Sequence, residues 1–161
     1  TVAPNNRMGL DNYLEMEGLV YKVTFEESSS TTSMPRLNYD RMVQNITEAP
    51  DSSQMIVNPD DYRDHINAGY GIYRYTNLDN PDVYFNENIQ RLIQNYRSSF
   101  LQLGLQNLYS SDEDGKANTL EILDKMDDYF PQNVIPTTDA ELDIQIGRIY
   151  MQAGEKKDHL R

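Results

Sequence analysis

The residues best suited to chemistry are few and local. Asp60, Asp61, Asp64 and His65 fall together in the stretch DDYRDH. Carboxylate oxygens and an imidazole at such density can hold a divalent cation that lowers the pKa of a bound water, the chemistry of a metal-assisted hydrolase. A surface helix with charge pairing at i,i+4 explains the same residues without a metal, and is the simpler account. The other histidine, His159, lies far away in sequence. A second constellation is SSDEDGKANTLE over residues 110–121. Asp112, Asp114, Gly115 and Glu121 fall at the third, fifth, sixth and twelfth positions of a calcium loop, but the first position is Ser110 rather than a carboxylate and Lys116 adds a positive charge. A solvated loop between two helices is the preferred reading. The third is aromatic: Tyr70, Tyr73, Arg74 and Tyr75, with Tyr84 and Phe85 downstream, form a surface suited to stacking on a sugar or a peptide, although such clusters more often close the end of a core. If residues alternate here, Tyr73 and Tyr75 share one face and Arg74 the other. No nucleophile elbow and no phosphate-cradling glycine loop occurs in the sequence, so no catalytic residue and no cofactor is assigned.

Composition narrows the partners. The chain has 161 residues, of which 38% are hydrophobic, enough for one domain or for a small domain with a helical extension. Acidic residues number 26 against 14 basic, for a net charge of −12, which disfavours nucleic acid and anionic membrane surfaces. With no cysteine there is no disulfide framework, thiol nucleophile or thiolate metal site. No apolar run approaches the roughly 18 residues of a membrane span. The polar stretch from Thr1 resembles neither a signal peptide nor an initiator start, so the chain is expected to be a fragment or a processed product.

The elements that must position these residues follow from periodicity. Residues 85–109 carry Ile89, Leu92, Ile93, Tyr96, Phe100 and Leu103 at three- and four-residue spacing, widened by Leu101, Leu105 and Leu108, which predicts a core helix buried on more than one side. Before it, in DNYLEMEGLVYKVTF, Leu14 and Met16 share one parity while Leu19, Tyr21, Val23 and Phe25 share the other. A short helix capped by Asp11 or Asn12 and ended by Gly18, followed by a strand over residues 19–25, fits that break. The strand's partner is expected to be residues 70–76, YGIYRYT, or a strand upstream of Thr1. Residues 26–34 are polar and low in complexity, and are expected to form a mobile loop. Asn38 caps a predicted helix with Tyr39, Met42, Val43 and Ile46 on one face, and Asn45-Ile46-Thr47 matches a glycosylation sequon of little weight. A further short helix is expected over residues 60–67, begun by Asn58-Pro59.

Beyond the core helix, residues 119–130 place Leu120, Leu123, Met126 and Phe130 on one side and stop at Pro131. Residues 139–153 place Leu142, Ile146, Ile149 and Tyr150 inward, with Gly154 as cap. Short connections predict antiparallel hairpins. Ile146-Gly147, Tyr150 and Ala153-Gly154 match the first helix of a tetratricopeptide repeat and Pro131 matches the closing proline of the unit before it, whereas Asp143 stands where that pattern has an aromatic; a generic helical hairpin is the alternative.

Four phrases, YLEMEGLVYKVTF, NPDVYFNENIQRLIQNYRSSF, ILDKMDDYFP and IGRIYMQAGEKKDHLR, together resemble the C-terminal soluble region of the bacterial protein O-mannosyltransferase-like multi-pass membrane family, grouped as glycosyltransferase family 117 and long labelled a domain of unknown function. The resemblance runs from Arg7 onward and includes no catalytic motif. It implies a parent whose membrane bundle carries any glycosyl transfer, and a soluble tail with tetratricopeptide-like helices on the extracytoplasmic, periplasmic side of a bacterial membrane.

The expected fold is therefore mainly α: a small α+β portion over residues 1–85, then a helical tetratricopeptide-like portion over residues 86–161, truncated at its C-terminus. The expected function is a non-catalytic accessory or protein-interaction domain that positions a protein or glycan acceptor, with Tyr70, Tyr73, Arg74, Tyr75 and Tyr84 as contact residues. The alternative is a stand-alone metal-assisted hydrolase using Asp60, Asp61, Asp64 and His65.

Overall fold

The computed structural model describes residues 8–27, 36–48, 64, 71, 73–110 and 113–154. The expected core helix is present as α2 (Glu87–Leu108), after a shorter α1 (Tyr39–Thr47). Asn86 starts α2 by accepting the Ile89 N–H at 3.0 Å, and Glu87 in the first turn complements the helix dipole. The inward stripe begins later than periodicity predicts. Ile89 and Leu92 are exposed, and burial starts at Ile93 and continues through Phe100, Leu101 and Leu103. The first turns of α2 carry apolar residues on a side that no described element covers.

Two further helices follow, α3 (Gly115–Tyr129) and α4 (Ala140–Ala153). Thr119, near the start of α3, donates its hydroxyl to Gly104 O near the end of α2, while Arg97 earlier in α2 reaches Phe130 O at the end of α3. The two helices are thus antiparallel. Tyr150 near the end of α4 bonds to Asp124 and Asp127 of α3, and Asp143 near its start meets Gln132 just past α3, so α4 reverses direction again. Gly154 closes α4 at φ 106°, as its sequence position predicts. The chain is mainly helical with a small sheet near its N-terminus, as expected.

The sheet itself departs from expectation. Residues 11–17 do not form a helix: a single 3-10 turn (Asp11–Tyr13) runs straight into β1 (Leu14–Met16). That strand pairs antiparallel with β2 (Tyr21–Val23) and parallel with β3 (Arg36–Leu37), in the order β2-β1-β3. Among the described residues the partner of β2 is therefore β1, and residues 73–76 join no strand. The parity break at Gly18 marks a hairpin turn rather than a helix end. Both uses need a positive φ, and Gly18 has φ 113°. In the centre of the sheet all three β1 residues are buried, including Glu15, whose carboxylate is held by Arg36 at 2.8 Å and by the Asn38 amide at 3.1 Å. Edge strand β2 is exposed throughout, and Tyr21 and Val23, like Phe25 just beyond it, are exposed.

Helix α1 begins where predicted, with Asn38 accepting the Arg41 N–H, and fully buries Met42 and Ile46. Asn45 of the sequon is buried and donates to Glu17 O at 2.9 Å, which leaves no room for a glycan in the folded protein. One buried cluster runs from Met16, Met42 and Ile46 through Tyr75 and Phe85 to the side chains of α2, α3 and α4.

Gly18 ties the sheet to that cluster. Its N–H points at Met42 Sδ at 2.8 Å, its carbonyl accepts from Ser99 Oγ at 3.2 Å, and the next N–H, of Leu19, donates to the Tyr73 hydroxyl at 2.9 Å. A Cβ at this position would sit 2.7 Å from the Tyr73 ring. Gly18→Ala is expected to lower unfolding free energy by about 1–3 kcal/mol, read from the urea midpoint, because a strained backbone and a displaced tyrosine both accompany the added methyl.

Candidate functional site

Among the described residues most of the aromatic cluster packs inward. Tyr75 is buried, with its hydroxyl donating to Ile46 O at 2.9 Å and its ring centroid 4.4 Å from Tyr129, 5.0 Å from Phe130 and 5.7 Å from Tyr96. Tyr73 is half-buried and packs edge-on against Tyr96 at 5.5 Å, and Phe85 is buried too. Arg74 and Tyr84 are exposed, and Tyr70 lies outside the described residues. Tyr73 and Tyr75 do point inward with Arg74 outward, although the segment joins no strand among the described residues. Tyr73 and Tyr75, expected among the contact residues, thus belong to the interior. Apolar surroundings explain this, because the rings find four aromatic neighbours and each hydroxyl a backbone partner.

Of the remaining constellations, Asp60, Asp61 and His65 lie outside the described residues, and Asp64 is exposed. Asp112 is likewise outside. Asp114 is exposed at the start of α3 without a capping bond, and Glu121 forms an ion pair with Lys125 at 3.4 Å, whose ammonium also meets Glu48 at 3.2 Å. Gly115 has a packing reason of its own, since a Cβ there would run into the Asn107 carbonyl. Among the described residues no group of three or more His, Cys, Asp and Glu side chains is assembled for a metal ion. No described helix is long and apolar enough to cross a membrane.

The structure brings together residues that sequence reasoning passed over. Arg97 is almost fully buried and donates from one guanidinium nitrogen to Phe130 O at 2.8 Å and Ile135 O at 2.6 Å. Burial lowers its pKa to about 10, with Asp127 and Asp143 opposing that shift, so it stays cationic at neutral pH. Its register was readable: Ile93, Arg97, Phe100, Leu101 and Gly104 share one helical face. Tyr150 donates to Asp127 at 3.1 Å and Asp124 at 3.3 Å, and desolvation followed by those two carboxylates pushes its hydroxyl well above the usual phenol range.

Two helical glycines differ in what faces them. At Gly104 a Cβ would touch Thr119 Cγ2 at 3.7 Å and Leu123 Cδ2 at 3.8 Å, so α3 already covers it. At Gly147 of α4 nothing lies within 4 Å, and Ile144 and Met151 beside it are exposed, Met151 to 71%. Ile144, Gly147 and Met151 at i, i+3 and i+7 make an apolar, close-approach stripe suited to a second helix. This face of α4 is the candidate functional surface. Compared with protein-family models, with curated proteins and with solved structures, the chain finds no match.

Replacing both Tyr73 and Tyr75 with alanine is expected to cost roughly 3–5 kcal/mol for the buried ring alone, enough to unfold a domain of ordinary stability; thermal melting of the purified variant checks this. Alkaline pH supplies a second readout. Tyr75 and Tyr150 both have hydroxyl pKa values raised in the fold, Tyr75 by desolvation and then by Tyr96, Tyr129 and Tyr73. A raised folded pKa means that the stabilisation is intact below the ordinary phenol value and is lost as pH rises beyond it. Stability should therefore be flat from pH 7 to about pH 9 and fall above about pH 10, with a shallower fall in Tyr150→Phe.

Proposed function

We propose that the chain is a non-catalytic protein-interaction module whose α2, α3 and α4 are tetratricopeptide-like. The observation that carries the reading is the close approach of α3 to Gly104. A tetratricopeptide unit has an aromatic, then Leu-Gly three residues later, with a small residue of the second helix against the glycine and a closing proline. Phe100, Leu103, Gly104, Thr119, Leu123 and Pro131 follow that spacing on either side of the interhelical loop, and Thr119 meets Gly104 in space. Departures are Asn107 in the tyrosine position, Thr119 for alanine and Leu123 for phenylalanine. In α4, Ile146-Gly147 and Tyr150 repeat the first half of the pattern, and there the glycine face is open.

On this reading the α4 stripe receives an apolar helical segment of a partner. The phrase resemblance supports a parent of the membrane-embedded glycosyltransferase type, with this module outside the cytoplasm positioning a protein acceptor or glycan-bearing partner. A photo-reactive amino acid placed at Met151, and at exposed Gln102 as control, tests it in cells of the native host. A discrete adduct from position 151, lost on Ile144→Glu and missing from position 102, is expected. Equal labelling from both positions, or glycosyl transfer catalysed by the isolated chain, overturns the reading.

A further inference from the structure

The open face of α4 carries the spacing of a two-helix seam. Ala140, Ile144, Gly147 and Met151 follow one another at intervals of four, three and four residues, the alternation that keeps one row of side chains turned toward a neighbouring helix. Ala140, Ile144 and Met151 are exposed, and a Cβ at Gly147 would meet nothing within 4 Å. Behind this row lie Leu142, Ile146, Ile149 and Ala153, which are buried. Helix α4 therefore has one apolar face in the core and a second outside it. All four positions of the outer row lie within the continuous helix Ala140–Ala153.

Size and charge together select the occupant. A second α4 laid parallel would set Ile144 on Ile144, Gly147 on Gly147 and Met151 on Met151, so that thick and empty layers alternate. Laid antiparallel, with Ile144 level with Gly147 of the other copy, the layers become Ile144 against Gly147 and Ala140 against Met151, each formed twice. Every layer then joins a large residue to a small one, which fills the space evenly. Charge agrees with this direction. Glu141 and Arg148 flank the row on one side, seven residues apart, and antiparallel helices bring that flank against the same flank of the other copy. Glu141 of each copy thus meets Arg148 of the other, in two places related by the two-fold axis. Both are exposed. Glu141 accepts an amide bond through Oε1 from Gln145 at 3.3 Å, and among the described residues no carboxylate lies within ion-pair distance of Arg148. A parallel pair would instead need Asp143 for Arg148, and Asp143 meets Gln132 of its own chain at 3.4 Å. Building on the reading of this face as one that receives a helix, we infer that the helix is α4 of a second copy, packed antiparallel with Gly147 at the close approach. Four residues from each helix make a small contact, so the dimer is weak and a longer, better-matched partner helix can replace it.

Sedimentation of the full 161-residue chain over a concentration series reaching the millimolar range, at moderate ionic strength, tests the proposal. A reversible monomer–dimer equilibrium is expected. Gly147→Leu fills the close approach and should abolish the dimer while leaving the melting temperature unchanged or raised, because leucine is the better helix former and meets nothing in the monomer. Arg148→Glu sets like charges together at both symmetric places and should weaken association about tenfold or more. Arg148→Glu combined with Glu141→Arg exchanges the signs and should recover most of the affinity. Direction is read from cross-linking, since the chain has no cysteine of its own. Under mild oxidation Ala140→Cys and Met151→Cys chains, distinguished by mass, should link to each other when mixed and neither to its own kind. A wild-type chain that stays monomeric throughout, a dimer indifferent to Gly147→Leu, a charge exchange that fails to restore, or cysteine variants that link to their own kind each overturn the proposal. A monomeric chain that still forms an adduct with a different protein at Met151 overturns the self-pair and leaves the interaction-module reading standing.

Discussion

The helical part of the molecule depends on one buried cation. Arg97 takes two carbonyls, Phe130 O at the end of α3 and Ile135 O in the turn beyond it, onto a single guanidinium nitrogen. The end of a helix leaves carbonyls without intrahelical partners, and in this buried corner water is not there to supply them. Taking a charge out of water costs several kcal/mol, offset here by charge-assisted bonds of about 1.5–3 kcal/mol each and by the field of Asp127 and Asp143. A lysine ammonium at one point could not also serve Gln94, which the second guanidinium nitrogen approaches at 3.4 Å while the first holds both carbonyls. With the chain pinned at Ile135, residues 131–139 can only lead α4 back along α3, which places Tyr150 over Asp124 and Asp127.

The sheet relies on a different kind of contact. Its hydrogen-bonded ladder is short, and a three-residue hairpin pair is marginal in isolation. What retains it is the turn at Gly18, whose groups are held by Met42 of α1, Ser99 of α2 and the Tyr73 hydroxyl, together with the ion pair between buried Glu15 and exposed Arg36 that fixes β3 alongside β1. Tyr75 and Tyr129 extend the same connection, donating to Ile46 O and Thr47 O at the last turn of α1. Tyrosine suits these places because its ring fills the core while its hydroxyl satisfies a carbonyl.

How much of this was legible follows from the length of each signal. The three C-terminal helices and the caps Asn38 and Gly154 were readable, because several turns of 3.6-residue period and specific capping types agree. The N-terminal hairpin was misread because Leu14–Met16 is too short to show a period, and because a glycine of positive φ ends a helix as well as it turns a hairpin. The candidate site was harder still. Arg97 sits in register with the core stripe yet was passed over as a charge, and the difference between Gly104 and Gly147 exists only in what surrounds them.

The α4 stripe and the exposed side chains of β2 lie away from the buried cluster that holds the fold together. Gly147 contributes no packing on its open side, and β2 buries none of its own residues while β1 beside it is fixed by Glu15, Met16 and the Gly18 turn. Natural surfaces tolerate scattered apolar residues, but an apolar stripe on one helix is an arrangement that calls for a reason. With a net charge of −12 the folded chains repel one another, so any contact at these places must combine apolar area with local charge matching rather than arise from general stickiness. The α4 stripe has Arg148 beside it and the β2 edge has Lys22, each a basic residue set against a largely acidic surface. The side chains that fold the chain are thus different from those on the α4 stripe, whose substitution would leave the core packing in place.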